Sequence, residues 1–174
     1  MKKTLIALPF YLFLLFSLSN CGTDKDKDPT PATDTGNASA SFNGATWKAE
    51  YASSLVGGTG NTQILTISMQ LTEKDNSEAI GIGISSFTGT GTYNYGGTAD
   101  KVSFTMKYKG KNYTLSTIAA NRGTGTIKVT EYVNSSGLLN PGKVVGEFSG
   151  TIKTSDGTET LTITNGKFTS IKYL

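Results

Sequence analysis

Apolar and polar residues alternate along two stretches of this 174-residue chain, and this alternation constrains the fold more than any other feature. In residues 63–71, Leu65, Ile67 and Met69 fall on one face with polar residues between them. Residues 101–108 repeat the pattern with valine, phenylalanine, methionine and tyrosine. A period of two is that of a β-strand with one buried face, and no window shows a convincing helical period. Both stretches therefore predict half-buried strands.

Seven further segments carry the same signal more weakly, so the sequence predicts about nine strands. They are residues 45–51, 79–84, 113–118, 126–133, 143–152, 160–164 and 167–173. Turn dipeptides separate the segments: Asn43-Gly44, Gly57-Gly58, Lys109-Gly110, Ser136-Gly137, Asp156-Gly157 and Asn165-Gly166. Asparagine, aspartate and glycine accept the positive φ that tight hairpins require. We expect an all-β fold, an antiparallel β-sandwich or small β-barrel, and the pattern does not choose between the two.

The first twenty residues have the layout of a secretory signal: Lys2 and Lys3, then an uncharged apolar run over residues 5–18. As a helix this run would cover about 21 Å, too short for a hydrocarbon core of about 30 Å. It ends in Leu18-Ser19-Asn20-Cys21, which resembles the lipobox of bacterial lipoproteins. The resemblance implies a diacylglyceryl group on the Cys21 sulfur, cleavage before it and acylation, as with palmitate, of the new amino terminus. The alternative is an ordinary signal peptide with an incidental cysteine.

The segment after Cys21 predicts a tether and a location. Three aspartates within residues 24–28 lack the glycine and glutamate that an EF-hand loop needs, so we expect no metal there. Acidic residues at this place instead resemble the surface-export signal of Bacteroidota lipoproteins, which implies the cell surface of the outer membrane; the periplasmic face is the alternative. Residues 29–40 have no apolar side chain larger than alanine and predict disorder. The predicted organisation is a signal peptide (1–20), a lipidated cysteine and tether (21–40) and one β domain (41–174).

Composition excludes several functions. Removing Lys2 and Lys3 takes the 16 basic residues to 14 against 13 acidic ones, a net charge of +1, and no basic stripe is present. We therefore expect no nucleic-acid partner. The chain has no histidine and no cysteine besides Cys21, which removes the usual nucleophile pairs and most zinc sites. We expect no cofactor and no metal.

Carboxylates alone can cleave glycosidic bonds, so a glycan-cleaving enzyme remains an alternative. Glu131 is the candidate acid, because alternation places it on the same strand face as Ile127, Val129 and Val133. An apolar setting of this kind raises a carboxyl pKa. Glu147 is its possible partner. The competing interpretation is that Glu131 marks a strand end or pairs with a lysine.

Aromatic residues suggest a second alternative, a lectin-like domain. In residues 92–97, Tyr93 and Tyr95 share one face if the chain is extended, with Asn94 between them, and Trp47 is the sole tryptophan. Flat rings beside amides can stack on sugars and bind their hydroxyls. The competing interpretation, which we favour, places Trp47 in the core and the tyrosines over a sheet edge with their hydroxyls in water.

Three longer stretches, FNGATWKAEYA (42–52), GTGTYNY (89–95) and GEFSGTIKTSDGTETLTITNGKF (146–168), resemble a family of uncharacterised Bacteroidota lipoproteins built on small exported β domains. The resemblance implies fold class and location, and no activity. The leading hypothesis is a non-enzymatic, lipid-anchored binding or interaction module. Its expected partners are the membrane, through the lipid on Cys21, and a glycan or an envelope protein.

Overall fold

The computed structural model describes residues 36–72, 74–96, 101–115, 123–135 and 142–172. These residues form ten β-strands, and the one helical segment among them is a 3-10 turn at Gly60–Thr62. The strands are β1 (Gly36–Phe42), β2 (Ala45–Gly57), β3 (Ile64–Gln70), β4 (Ala79–Ser85), β5 (Gly91–Tyr95), β6 (Val102–Tyr108), β7 (Lys111–Leu115), β8 (Gly125–Val133), β9 (Gly142–Lys153) and β10 (Thr160–Lys172). The all-β prediction is confirmed.

All ten strands belong to one sheet with the order β5-β8-β9-β10-β1-β2-β3-β4-β6-β7. Neighbours are antiparallel, and beyond the start of β1 the last residues of β10 pair directly and in parallel with β2. The sheet curls into a half-barrel. Its two margins approach each other, because Tyr113 of β7 forms a bridge with Thr154 after β9, and the ring of Tyr95 in β5 lies 5.9 Å from that of Phe104 in β6. A single curled sheet therefore encloses one core.

The interior is filled by aromatic rings that lie over glycines on the neighbouring strand. Phe148 of β9 is directly opposite Gly166 of β10, and Phe168 of β10 is directly opposite Gly146 of β9. A Cβ atom at Gly146 would come within 2.5 Å of the Phe168 ring. These two glycines are buried without side chains because the rings occupy the space above them. Glycine in a strand here marks close packing.

Two predicted boundaries are wrong. Residues 36–40, assigned to the tether, form most of β1, so the folded domain includes them and does not start at residue 41. The prediction failed because Ala38 and Ala40 are small, whereas β1 lies between β10 and β2 and is buried by its neighbours. Asn165-Gly166 is not a hairpin turn: it forms a bulge inside the continuous strand β10. The segments predicted as 160–164 and 167–173 are therefore one strand.

Of the other predicted turn dipeptides, some lie in turns and one lies outside the described residues. Asn43 and Lys109 have positive φ and are each followed by a positive-φ glycine, as predicted for tight hairpins. Asp156-Gly157 lies in the turn between β9 and β10, where the Asp156 carboxylate accepts hydrogen bonds from the Thr154 hydroxyl and from the amide and hydroxyl of Thr158. These bonds lower the pKa of Asp156 from 3.8 to about 2. Ser136-Gly137 lies outside the described residues.

Strand directions define two rims of the half-barrel. The N-terminal rim is where β1, β3, β6 and β9 begin and where β2, β4, β8 and β10 end. The distal rim carries the β1–β2, β3–β4, β6–β7 and β9–β10 connections. At the N-terminal rim the chain after β4 folds over the core, because Phe87 is buried and its amide donates to the Gln63 carbonyl at 2.9 Å.

Candidate functional site

Trp47 lies in the core and not at a sugar-binding surface. It is 3% exposed on β2, and its ring centroid is 5.4 Å from that of Phe42. Its indole Nε1 is buried with no hydrogen-bond partner, the one side-chain atom of that kind in the part of the chain the structure describes. The ring is therefore not available for stacking on a ligand. Trp47 lies in the core, as the competing interpretation predicted.

Tyr95 is also buried. It is 3% exposed, and its hydroxyl donates to the Ser149 carbonyl at 3.2 Å. Its phenol group lies where Cβ atoms at Gly125 and Gly150 would have to be, with the hydroxyl oxygen 2.4 Å from each of those positions. Burial raises the pKa of Tyr95 well above its ordinary value. The hydroxyl is thus held by the backbone of β9 and is not wet.

Tyr93 shares a face with Tyr95, as predicted, but that face points toward the core. The Tyr93 ring is half-buried against Phe87 at 5.8 Å, and its hydroxyl donates to the Gly89 carbonyl at 2.8 Å. It thereby holds the loop between β4 and β5. Asn94 faces the opposite way and is exposed. The predicted platform of Trp47, Tyr93 and Tyr95 is therefore corrected: its rings pack inward, and Asn94 alone of the four is exposed.

Glu131 is corrected as well. A bulge between Val129 and Glu131 interrupts the alternation of β8, so Val129 is buried whereas Glu131 is 46% exposed on the outer face. The Glu131 carboxylate accepts a hydrogen bond from Lys143 Nζ at 3.2 Å. This is the lysine pairing that the competing interpretation foresaw. The apolar setting that would favour an acid role is absent.

Glu147, the proposed partner of Glu131, lies on the outer face of β9. Its direct cross-strand neighbours are Lys128 on β8 and Lys167 on β10. Glu147 lines a depression of about 430 Å³ with these two lysines, and Glu131 does not line it. The two carboxylates therefore do not share this depression.

A larger groove, which the sequence did not predict, crosses the outer face of β3, β4, β6 and β7. Its volume is about 640 Å³, and we call it the polar groove. Its floor is the row Ser68, Gly81, Thr105 and Thr114, which are directly opposite one another on the four strands. Gly81 lowers the middle of that row, since a Cβ atom there would lie 2.7 Å from the Thr105 hydroxyl oxygen.

Two connections at the distal rim wall the polar groove. Asn76, between β3 and β4, lines one part, and Ser155, after β9, lines another. The Ser155 amide donates to the Asn112 carbonyl at 3.1 Å, which fixes the β9–β10 turn against β7. The side chains of Asn112 and Lys107 line the groove too. Amides, hydroxyls and one ammonium group can bind a polar ligand by hydrogen bonds.

Comparison with known proteins places this half-barrel in a family. A family model described as a domain of unknown function (DUF6252) matches residues 34–172. The chain belongs to the DUF6252 family. The match ends at Lys172, the last residue of β10, so the DUF6252 domain coincides with the ten-stranded half-barrel. No curated protein matches the chain, and no solved structure matches it.

Motifs in the stretches on which the family resemblance was based supply residues of the core of the DUF6252 domain. GEFSG contributes Gly146 and Phe148, and ITNGKF contributes Gly166 and Phe168, which are the two reciprocal ring-over-glycine pairs. These motifs therefore describe packing and carry no chemistry of their own. In the described ranges no group of three histidine, cysteine, aspartate or glutamate residues could hold a metal ion. No helix found there has the length and apolarity to cross a bilayer.

Proposed function

We propose that this chain is a lipid-anchored envelope protein of the Bacteroidota type and that its DUF6252 domain is a non-enzymatic binding module. The observation that carries the proposal is the sequence Leu18-Ser19-Asn20-Cys21, with the sole cysteine, at the end of an apolar run of 14 residues. Cys21 lies outside the described residues. Acyl chains on its sulfur and amino group would hold the protein on a membrane, because each buried methylene contributes about 0.8 kcal/mol.

The position of the folded domain fits this arrangement. Residues 22–35 separate Cys21 from Gly36, where β1 begins. A chain of 15 residue steps can reach at most about 50 Å. The domain is thus kept within a few nanometres of the anchor. The enzyme alternative loses its candidate acid, because Glu131 is exposed and paired with Lys143 instead of buried in an apolar pocket.

The anchor is tested by expressing the full-length chain, Cys21→Ser and the control Asn20→Ala, which brings the residue before the cysteine closer to the usual lipobox. The wild type and Asn20→Ala should begin at Cys21, carry the mass of added acyl chains and enter the detergent phase on Triton X-114 partition. Cys21→Ser should carry no acyl mass. An unmodified wild-type mass would refute the anchor. Protease treatment of intact cells then separates the cell surface from the periplasmic face.

A second candidate function is favoured by the polar groove, which has the hydrogen-bonding groups that a glycan requires. The polar groove replaces the predicted aromatic platform as the candidate glycan site, because the rings of that platform are buried. The test is a glycan array probed with the full-length chain in a mild detergent. Asn112→Ala, in the groove, should lose any hit, while Asn94→Ala, exposed on β5 and outside the groove, should keep it. Loss with Asn94→Ala alone would refute the groove, and a blank array would count against glycan binding altogether.

A further inference from the structure

The large hydrophobic side chains that stay exposed are not scattered over the half-barrel. In the described ranges they are Leu55, Ile64 and Val133, which are 52%, 49% and 46% exposed. Leu55 is near the end of β2, Ile64 begins β3 and Val133 ends β8. All three positions belong to the N-terminal rim. Single exposed hydrophobic residues need no explanation, but three at one rim form a pattern.

Two of the three form a continuous patch. Leu55 is directly opposite Thr66, and Ile64 is two residues from Thr66 on the same strand face. Diagonal neighbours of this kind are close enough for long side chains to touch. The patch lies beside the tip of the β2–β3 hairpin, where Gly57 and Gly58 begin the turn. Leu55 and Ile64 therefore lie on the outer face of the β2–β3 hairpin, next to its turn.

Charged residues are fewer at the N-terminal rim than at the distal rim. Residues 52–72 and 79–96, which supply the β2–β3 hairpin and the β4–β5 loop of this rim, contain no charged residue. The charged side chains that the structure describes at the N-terminal rim are Lys101, Glu131 and Lys143, of which the last two pair with each other. Lys172 ends β10 at the same rim. The distal rim instead carries Lys74, Asp75, Glu78, Lys109, Lys111, Asp156 and Glu159.

The N-terminal rim is also where the chain joins the segment that leads to Cys21. β1 begins at Gly36, directly opposite Ala52 of β2, three residues before Leu55. The segment of residues 22–35 reaches at most about 50 Å. The segment that leads to Cys21 is therefore attached to the domain at this rim. A lipid anchor would present Leu55 and Ile64 to the bilayer.

We propose that the N-terminal rim rests on the lipid surface and inserts Leu55 and Ile64 at the boundary between headgroups and acyl chains, with Val133 of β8 at the same rim. The proposal rests on the lipid anchor proposed above. Three half-exposed side chains are far too little for a stable protein interface, which buries about 1,000 Å² or more. They suffice for a membrane contact because the anchor already supplies a high effective concentration of lipid. The contact orients the domain with its distal rim toward solution.

The test measures the depth of an added tryptophan in the lipid-modified, full-length chain. Ile64→Trp is compared with Lys74→Trp at the distal rim, in phosphatidylcholine vesicles with and without brominated acyl chains, which quench indole emission on contact. The native Trp47 is buried and contributes the same background to both. The added emission of Ile64→Trp should be lost in brominated vesicles and that of Lys74→Trp retained. Leu55→Trp is a second probe should Ile64→Trp fail to fold, which circular dichroism reports.

The outcomes separate the two proposals. If the wild-type chain does not float with vesicles and carries no acyl mass, the lipid anchor itself is refuted. If it floats but Ile64→Trp and Leu55→Trp are not quenched, or Lys74→Trp is quenched equally, the anchor holds and the oriented contact is refuted. Quenching should already occur in vesicles of phosphatidylcholine alone, because the patch is apolar. A requirement for anionic lipid would also refute it, since it would assign the contact to lysines.

Discussion

Adding one methyl group at Gly166 should destabilise the half-barrel by about 3 kcal/mol. A Cβ atom there would lie 2.3 Å from the Phe148 carbonyl oxygen and 2.7 Å from the Phe148 ring. The ring cannot turn away freely, because Phe148 is 2% exposed and packs against Phe168 at 6.4 Å. The carbonyl belongs to the backbone of β9, so relief of the clash requires the two strands to separate locally.

The magnitude follows from the kind of atom that must move. Overpacking a close-packed core costs about 1–3 kcal/mol, and a contact with backbone belongs at the upper end of that range. Gly166 has no left-handed φ, so the cost is steric and not conformational. For a domain of this size about 3 kcal/mol lowers the unfolding temperature by about 10 °C. It is also a large fraction of a typical total stability of about 5–15 kcal/mol.

Thermal unfolding of the full-length chain in a mild detergent measures the effect, with the fluorescence of Trp47 as a built-in probe because it is the sole tryptophan and is buried. Gly57→Ala is the matched control: a Cβ atom there meets nothing within 4 Å, and its φ is not left-handed. The control should be neutral or gain up to about 1 kcal/mol through the unfolded state. If Gly166→Ala and Gly57→Ala unfold at the same temperature, the ring-over-glycine account of this core is wrong.

Three further predictions concern polar side chains. The pKa of the Asp156 carboxyl is lowered from 3.8 to about 2 in the folded state, so the stability that its hydrogen bonds contribute is present above about pH 4 and is lost as the pH falls toward 2. Between pH 4 and pH 2 the unfolding temperature should therefore fall less in Asp156→Asn than in the wild type. An equal fall in both would contradict the hydrogen bonds assigned to Asp156. Tyr95→Phe should cost about 1 kcal/mol in urea unfolding, because the hydroxyl that donates to the Ser149 carbonyl is removed; no change would mean that this bond is not formed. Glu131→Gln should change the free energy of unfolding by less than about 0.5 kcal/mol, since its pair with Lys143 is exposed; a loss of several times that value would show that Glu131 is not at the surface.

Local patterns predicted most of the fold because strand alternation and turn chemistry are local. β3 and β6 begin and end within one residue of the predicted segments, and the positive-φ turns at Asn43 and Lys109 are where the dipeptides placed them. β1 could not be predicted in the same way, because its burial comes from β10 and β2, which are distant in sequence. The sequence left the choice between sandwich and barrel open for a similar reason, because it depends on how strongly ten strands curl together.

The candidate sites show the same division. Extended alternation correctly placed Tyr93 and Tyr95 on one face, but nothing local says whether that face is inside or outside. The bulge before Glu131 shifted its side chain to the outer face, and the apolar and polar residues of the sequence give no sign of that bulge. The polar groove combines four strands and two connections, so its one local sign is Gly81, a glycine within the alternating strand β4.

The strand order connects the proposed anchor to the proposed ligand surface. β1 is hydrogen-bonded to β10 on one side and to β2 on the other, so it is an interior strand of the sheet. A pulling force transmitted through residues 22–35 therefore acts on this interior strand and not on an edge strand. Asn76 and Ser155 wall the polar groove at the distal rim, opposite to where β1 begins. A domain held by Gly36 with Leu55 and Ile64 on the bilayer would therefore keep that groove open to solution. Replacing Leu55 and Ile64 with polar residues should then leave the fold and the groove unchanged but release the domain from its orientation on the bilayer. The fraction of anchored molecules whose groove faces solution should therefore fall.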